Sequence, residues 1–333
     1  MWLMADYLYG SARVRSLENA MIGRDRILRI AESKAPADAY GLLGEFGVEV
    51  LRDENGNPLR EETLLSILKN AYQTVTELAP DSAALRLWLY PYDCNNVKAA
   101  IKAFIRGIDP RPMMFDFGTV DVEAVIEMVS NGRFSVLPPM LLRAASEASS
   151  AYAKTKNPQK IDLILDRACY ADMYAAARAS GNEYVLGLMR AKIDLLNISI
   201  TLRVLRMQSG DAGKGLLEDA LLSGGNLETS ELSALYSKGE EAFIAEISRS
   251  EYTKLADLYL ESDRSAATFD RLADNYWMGL ILETKFIPVG LEVMVSFLLA
   301  QEYEVKNLRI VLSGKESGLP VKTICERIRD SYV

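Results

Sequence analysis

The 333-residue sequence contains no histidine. That absence removes Ser-His-Asp and Cys-His catalysis, imidazole metal sites and histidine acid–base work, and leaves Glu, Asp, Lys, Tyr and Cys to carry any chemistry. Cysteine is scarce. Cys94, Cys169 and Cys325 are odd in number and far apart along the chain, so no disulfide framework is expected and a reducing cytosolic compartment fits best. A basic surplus is missing too: the formal net charge is −8, and no Lys/Arg cluster offers phosphate a partner, which argues against nucleic-acid binding. Long hydrophobic runs are absent. Residues 286–300 come nearest, but Pro288 and Glu292 interrupt them and they fall short of the roughly 20 apolar residues a bilayer requires. The opening Met1-Trp2-Leu3-Met4-Ala5-Asp6 lacks the basic start of a signal peptide. A soluble globular protein of two or three domains is expected from this balance and length.

Nucleotide and metal motifs are incomplete as well. Gly210-Asp211-Ala212-Gly213-Lys214-Gly215 and Ser313-Gly314-Lys315-Glu316-Ser317 contain Gly-Lys pairs, but Gly215 and Glu316 stand where a P-loop needs Ser or Thr. Asp53-x-Asn55-x-Asn57 resembles the start of a calcium loop, yet Pro58 and Leu64 occupy the positions of its glycine and final glutamate, so it reads as a surface turn. With Val48-Glu49-Val50 before it, that turn could close a small hairpin. Adjacent acids such as Glu61-Glu62 and Glu240-Glu241 point about 100° apart on a helix, do not converge on one substrate, and read as solvated faces. Asn197-Ile198-Ser199 spells a glycosylation sequon only formally, since nothing suggests secretion. No cofactor, metal site or catalytic residue is expected.

What is present is a repeat. The segments Asp93-x-x-Asn96-Val97, Asp194-x-x-Asn197-Ile198 and Glu304-x-x-Asn307-Leu308 share the pattern acid-x-x-Asn-aliphatic-x-x-x-aliphatic, and their asparagines are 101 and 110 residues apart, close to a third of the chain. Gly118-Thr119-Val120-Asp121, followed by Val125, Met128 and Gly132, aligns without gaps onto Gly225-Asn226-Leu227-Glu228 with Leu232, Leu235 and Gly239. A weaker echo pairs Asp166-Arg167 and Tyr170 with Asp270-Arg271 and Tyr276-Trp277. Self-similarity at a fixed period points to one unit used three times.

The period within each unit is helical. Residues 161–176 place apolar groups at i, i+3, i+4 and i+7, and residues 184–206 and 289–312 are long, nearly glycine-free and rich in helix formers. Prolines punctuate loops and first turns, so the fold class expected is all-α. Asp109-Pro110-Arg111-Pro112 and the stretch from Ser209 to Gly225 are the linker candidates, giving modules 1–112, 113–217 and 218–333. On such helices Asp93 and Asn96, Asp194 and Asn197, and Glu304 and Asn307 each share a face. They are expected to be buried pins hydrogen-bonded between helices, because an unsatisfied polar pair would cost roughly 1–3 kcal/mol.

At these residues the chain resembles the central-stalk C subunits of prokaryotic V-type (A/V-type) ATPases, which correspond to the d subunits of the eukaryotic enzymes. The resemblance rests on Tyr9-Gly10-Ser11-Ala12-Arg13-Val14-Arg15, Asp93-x-x-Asn96-Val97-Lys98, Asp166-Arg167-x-x-Tyr170, Asp194-x-x-Asn197 and Glu304-x-x-Asn307-Leu308-Arg309, in order over essentially the whole length. It implies three similar helical bundles around a pseudo-three-fold axis, shaped as a funnel. It also implies a non-catalytic rotor component at the cytoplasmic face, peripheral to the membrane, that sockets the shaft formed by the D and F subunits and rests on the proteolipid ring, its only membrane contact. Torque between ATP hydrolysis or synthesis and ion transport would pass through it. The second copy departs in carrying Ser199 where Lys98 and Arg309 stand. Without the resemblance, the residues alone also allow a helical-repeat adaptor unrelated to the ATPase. A magnesium-dependent helical enzyme would want an Asp-Asp-x-x-Asp run, and none is present.

Overall fold

The computed structural model describes residues 4–80, 83–207 and 210–333; Met1, Trp2, Leu3 and Ser209 of the segments named above lie outside them. Helices and short 3-10 turns make up the regular structure, with no strand among the described residues, so the protein is all-α. Two compact units divide the chain: Ala83–Ala266, and Met1–Ser82 together with Ala267–Val333.

The first stretch supplies α1 (Leu8–Glu18), α2 (Gly23–Glu32), α3 (Pro36–Glu45) and α4 (Arg60–Leu78). The middle unit holds α5 (Ala83–Arg86), α6 (Tyr90–Arg106), α7 (Val122–Asn131), α8 (Pro139–Thr155), α9 (Gln159–Ala179), α10 (Glu183–Met207), α11 (Gly210–Ala220), α12 (Thr229–Tyr236), α13 (Glu240–Ile247) and α14 (Thr253–Leu260). The chain then returns to the first unit with α15 (Ala266–Leu282), α16 (Leu291–Glu316) and α17 (Val321–Cys325).

The core of the divided unit is α16, which packs against α1, α2, α3 and α4. Val293 to Ala300 are all buried, so this helix is apolar on every side because protein surrounds it. Of the hydrophobic stretch 286–300, the part from Leu291 on is thus the start of a central core helix while Phe286 is exposed, and no described helix is long and apolar enough to cross a membrane. In the middle unit α10 plays the same part against α9 and α11, burying Leu188, Met189, Ile193, Leu195, Ile198 and Leu202.

Local chemistry sets the boundaries. Pro91 sits in the first turn of α6, where its missing N–H costs nothing, and Gly107 ends the helix at φ 67°, its N–H reaching back to the Ala103 carbonyl. Asp121 caps α7 by accepting the Ala124 N–H at 3.1 Å, and Gly132 closes it at φ 65°. Two sequence expectations need correction. The hairpin near residue 50 shrinks to a single bridge between Arg52 and Pro58; the Val48 N–H turns back to the Leu43 carbonyl, and Asp53 ties the turn to itself by accepting the N–H groups of Asn55 and Asn57. The linker beginning at Ser209 is largely helix, since α11 fills it. Cys94 and Cys169, remote in sequence, meet as free buried thiols where α6 packs on α9, and the hydrogen bond with Cys94 and then burial push the Cys169 thiol well above its ordinary value.

Candidate functional site

The six acid and asparagine residues of the repeat are all buried, Glu304 least so at 7% exposed. The expectation placed their partners on neighbouring helices. The structure places them on turns, and the bonds go to main-chain groups, joined by the Thr119 hydroxyl at Asp93 and the Tyr252 hydroxyl at Asp194.

Each asparagine makes the same two-bond bridge to one residue. Asn96 Nδ2 donates to the Phe115 carbonyl at 2.8 Å and Asn96 Oδ1 accepts the Phe115 N–H at 2.8 Å. Asn197 does this to Leu222, at 2.8 Å both ways. Asn307 does it to Arg329, at 3.1 and 2.8 Å. A carboxamide pairs with a peptide group in this way because both offer one donor and one acceptor side by side, so Asn satisfies a turn that has no strand to pair with. Asn197, wholly buried, is thereby no acceptor for a glycan.

Each acid holds the turn leading into a short helix. Asp93 Oδ1 accepts the Thr119 and Val120 N–H groups at 2.8 and 3.1 Å, ahead of α7. Asp194 accepts those of Asn226 and Leu227 at 2.9 and 3.0 Å, ahead of α12. A Cβ added at Gly118 would land on Asp93 Oδ1 and one at Gly225 on Asp194 Oδ1, which explains the glycine opening both segments. Glu304 accepts the Gly23 N–H at 3.1 Å and that of Ile22, at the start of α2. Here Met21 precedes the two donors, and the acid has one more methylene. The third copy is therefore closed from both directions: its asparagine grips residue 329, its acid residues 22 and 23.

Burial raises all three carboxyl groups. Asp93 and Asp194 lie above the ordinary Asp value because desolvation outweighs the hydrogen bonds that favour the anion. Glu304 is pushed up to about 7, chiefly by burial, against the pull of the Gly23 and Ile22 amides and of Arg26.

Other clamps carried no repeat signal. Asp172 on α9 accepts the Met140 and Leu141 N–H groups at 2.9 and 2.8 Å, the free donors at the start of α8, and burial raises it too. A lone aspartate more than thirty residues from the Pro138-Pro139 helix start gives no local sequence cue. Asp274 on α15 gathers Tyr303 at 2.9 Å, Lys306 at 2.5 Å and Arg329 at 3.0 Å. Arg15 donates to the Thr284 and Ile287 carbonyls at 2.5 and 2.8 Å and to Tyr332 at 3.0 Å, fixing α1 to the approach of α16. Of the repeat's basic positions, Lys98 pairs with Asp166 at 2.5 Å and Arg309 with Glu61 at 2.9 Å. Glu61, Glu240 and Glu241 are not simply solvated: Glu61 also meets Arg60, while Glu240 and Glu241 diverge to Arg206 and Arg264. The divergence that keeps adjacent acids off one substrate lets each reach a different element. Among the described residues no group of three or more Cys, Asp or Glu side chains is arranged to hold a metal ion.

These buried polar groups direct their hydrogen bonds at the protein's own turns and helix starts, which defines a class: an all-helical protein organised by repeated internal clamps. Comparison with known proteins makes the assignment particular. The family model described as ATP synthase (C/AC39) subunit matches residues 11–327, and the chain belongs to that family, the C subunits of A- and V-type ATPases. It is similar to the C subunit of the A-type ATP synthase of Methanocaldococcus jannaschii, at 24% identity over 96% of this chain and 86% of that one. The C subunit of the V-type sodium ATPase of Enterococcus hirae is likewise 24% identical, over 96% and 97%. Its counterpart in the A-type ATP synthase of Thermococcus onnurineus is 22% identical, over 99% and 92%.

Proposed function

We propose that this chain is the non-catalytic central-stalk component of an A/V-type ATPase, seated between a shaft of the D and F subunits and the proteolipid ring, and that it transmits torque between ATP hydrolysis or synthesis and ion transport. The observation that carries this reading is the family match from residue 11 to residue 327, which takes in both compact units. The clamps suit such a part. A torque-bearing element must resist shear, and turns bridged by two hydrogen bonds to buried helix side chains are stiffer than turns held by packing alone. Three modules, 1–112, 113–217 and 218–333, arranged about a pseudo-three-fold axis as a funnel would let one chain meet a rotationally symmetric ring, with Asp93/Asn96, Asp194/Asn197 and Glu304/Asn307 as one pin per module. The chain would act at the cytoplasmic face, peripheral to the membrane.

Reconstitution of the complex with and without the chain tests this, with ATPase rate and ion flux measured together. Omission is expected to leave ATP hydrolysis running while flux falls away. Flux at full coupling without the chain would overturn the assignment.

A further inference from the structure

Two basic residues of the sequence motifs are left over by the clamps. In the Asp166-Arg167 pair the acid goes to Lys98 at 2.5 Å, whereas Arg167 has no hydrogen bond or ion pair among the described residues. Lys214, the lysine of the incomplete P-loop segment, is equally free. Asp219, further along α11, is held by Lys160 instead.

The middle unit brings these two cations to one place. Arg167 on α9 and Lys214 on α11 line a solvent-open cleft of about 400 Å³, whose other wall is α12. Two positive groups lining one cleft raise its potential and favour an anion there. Hydroxyl groups add donors: Ser223, Thr229 and Ser230 share the lining. Thr229 and Ser230 also open α12, where the first N–H groups of a helix have no carbonyl a turn earlier to bond.

One acid faces the same space. Glu218 accepts the Ser233 hydroxyl at 2.9 Å through Oε1 and leaves Oε2 without a partner among the described residues. Glu228 and Glu231, beside the start of α12, are not part of the lining. The free oxygen of Glu218 discriminates among anions. At about pH 7 orthophosphate carries a proton that it can donate to Glu218, whereas sulfate carries none and meets the carboxylate charge against charge.

We propose that this cleft binds a phosphate group that still bears a proton. Arg167 and Lys214 donate to its oxygens, the hydroxyls of Ser223, Thr229 and Ser230 complete the donor set, and the phosphate O–H donates to Glu218. Free orthophosphate and a phosphate monoester share this chemistry. Magnesium-ATP does not, because the metal covers the terminal phosphate and displaces its proton.

Calorimetric titration of the full chain near neutral pH, at one ionic strength, compares sodium phosphate, sodium sulfate and glycerol 3-phosphate. Orthophosphate is expected to bind about tenfold more tightly than sulfate. Glycerol 3-phosphate binding as well as orthophosphate would identify an ester as the ligand, and orthophosphate binding alone would identify the free ion. Arg167→Gln and Lys214→Gln break no polar contact of the folded chain, so both are expected to melt with the parent and each to weaken phosphate about tenfold. Glu218→Gln is expected to bring sulfate level with phosphate, a change that lost folding would not produce. No heat with phosphate, equal affinity for sulfate in the parent, unchanged selectivity in Glu218→Gln, or undiminished binding by both Arg167→Gln and Lys214→Gln would overturn the proposal. The isolated chain suffices throughout, so such a failure leaves the stalk assignment standing.

Discussion

A carboxyl group sealed from water is an unusual means of holding a turn, because the burial that gives it short bonds also penalises its charge. Glu304 shows the balance most plainly. Burial keeps it protonated up to about 7, whereas an ordinary Glu releases its proton near 4.5. Between those values the folded chain retains a proton that the unfolded chain has lost, so raising the pH favours unfolding. The stabilising term is whole below 4.5 and gone above 7. At 1.36 kcal/mol per unit this amounts to about 3 kcal/mol. Melting curves from about pH 5 to pH 8 should therefore fall with rising pH in the parent and flatten in Glu304→Gln; parallel curves for the two would refute this account. Asn197 is the complementary case, since it has no charge to lose. Asn197→Leu strands both the N–H and the carbonyl of buried Leu222 and should lower stability by roughly 2–4 kcal/mol in urea unfolding at any pH.

At the scale of elements, the long helices and the clamp positions were readable because each has a local signature. Apolar residues at 3.6-residue spacing mark α9, long nearly glycine-free runs of helix formers mark α10 and α16, and the acid and asparagine three residues apart announce one polar face. The clamps' partners were less accessible. A main-chain N–H or carbonyl has no residue identity, so nothing in the letters at 115, 222 or 329 says that Asn will seek it. The third acid hides further, since its turn precedes its helix by some 280 residues and breaks the order that made Gly118 and Gly225 recognisable. The short helices α11 to α14 were blurred because eight to eleven residues scarcely exceed two or three turns of pattern. The glycine rule yields a sharp test. Gly225→Ala drives a Cβ into the Asp194 carboxylate and should destabilise by about 1–3 kcal/mol, whereas in an Asp194→Ala background the same change should cost far less. A double-mutant cycle by urea unfolding measures this coupling; additive costs would show that glycine and acid are independent.

At the scale of the whole molecule, the proposed non-catalytic role makes a simple prediction. Titration of the purified chain with magnesium-ATP is expected to give no binding heat, and micromolar affinity would contradict the non-catalytic role. The division into units has a further consequence, which concerns the order of events on the ribosome. Residues 83–266 form a contiguous unit and can fold as soon as they emerge, whereas α1 to α4 are made first and depend on α16, made nearly last. During that interval α1, α2 and α4, whose buried residues include Val14, Ile27, Ile30, Leu64 and Leu68, lack the helix they pack against. These helices, made before the middle unit, are then finished after it, and they are exposed to chaperones and proteases for as long as its translation takes.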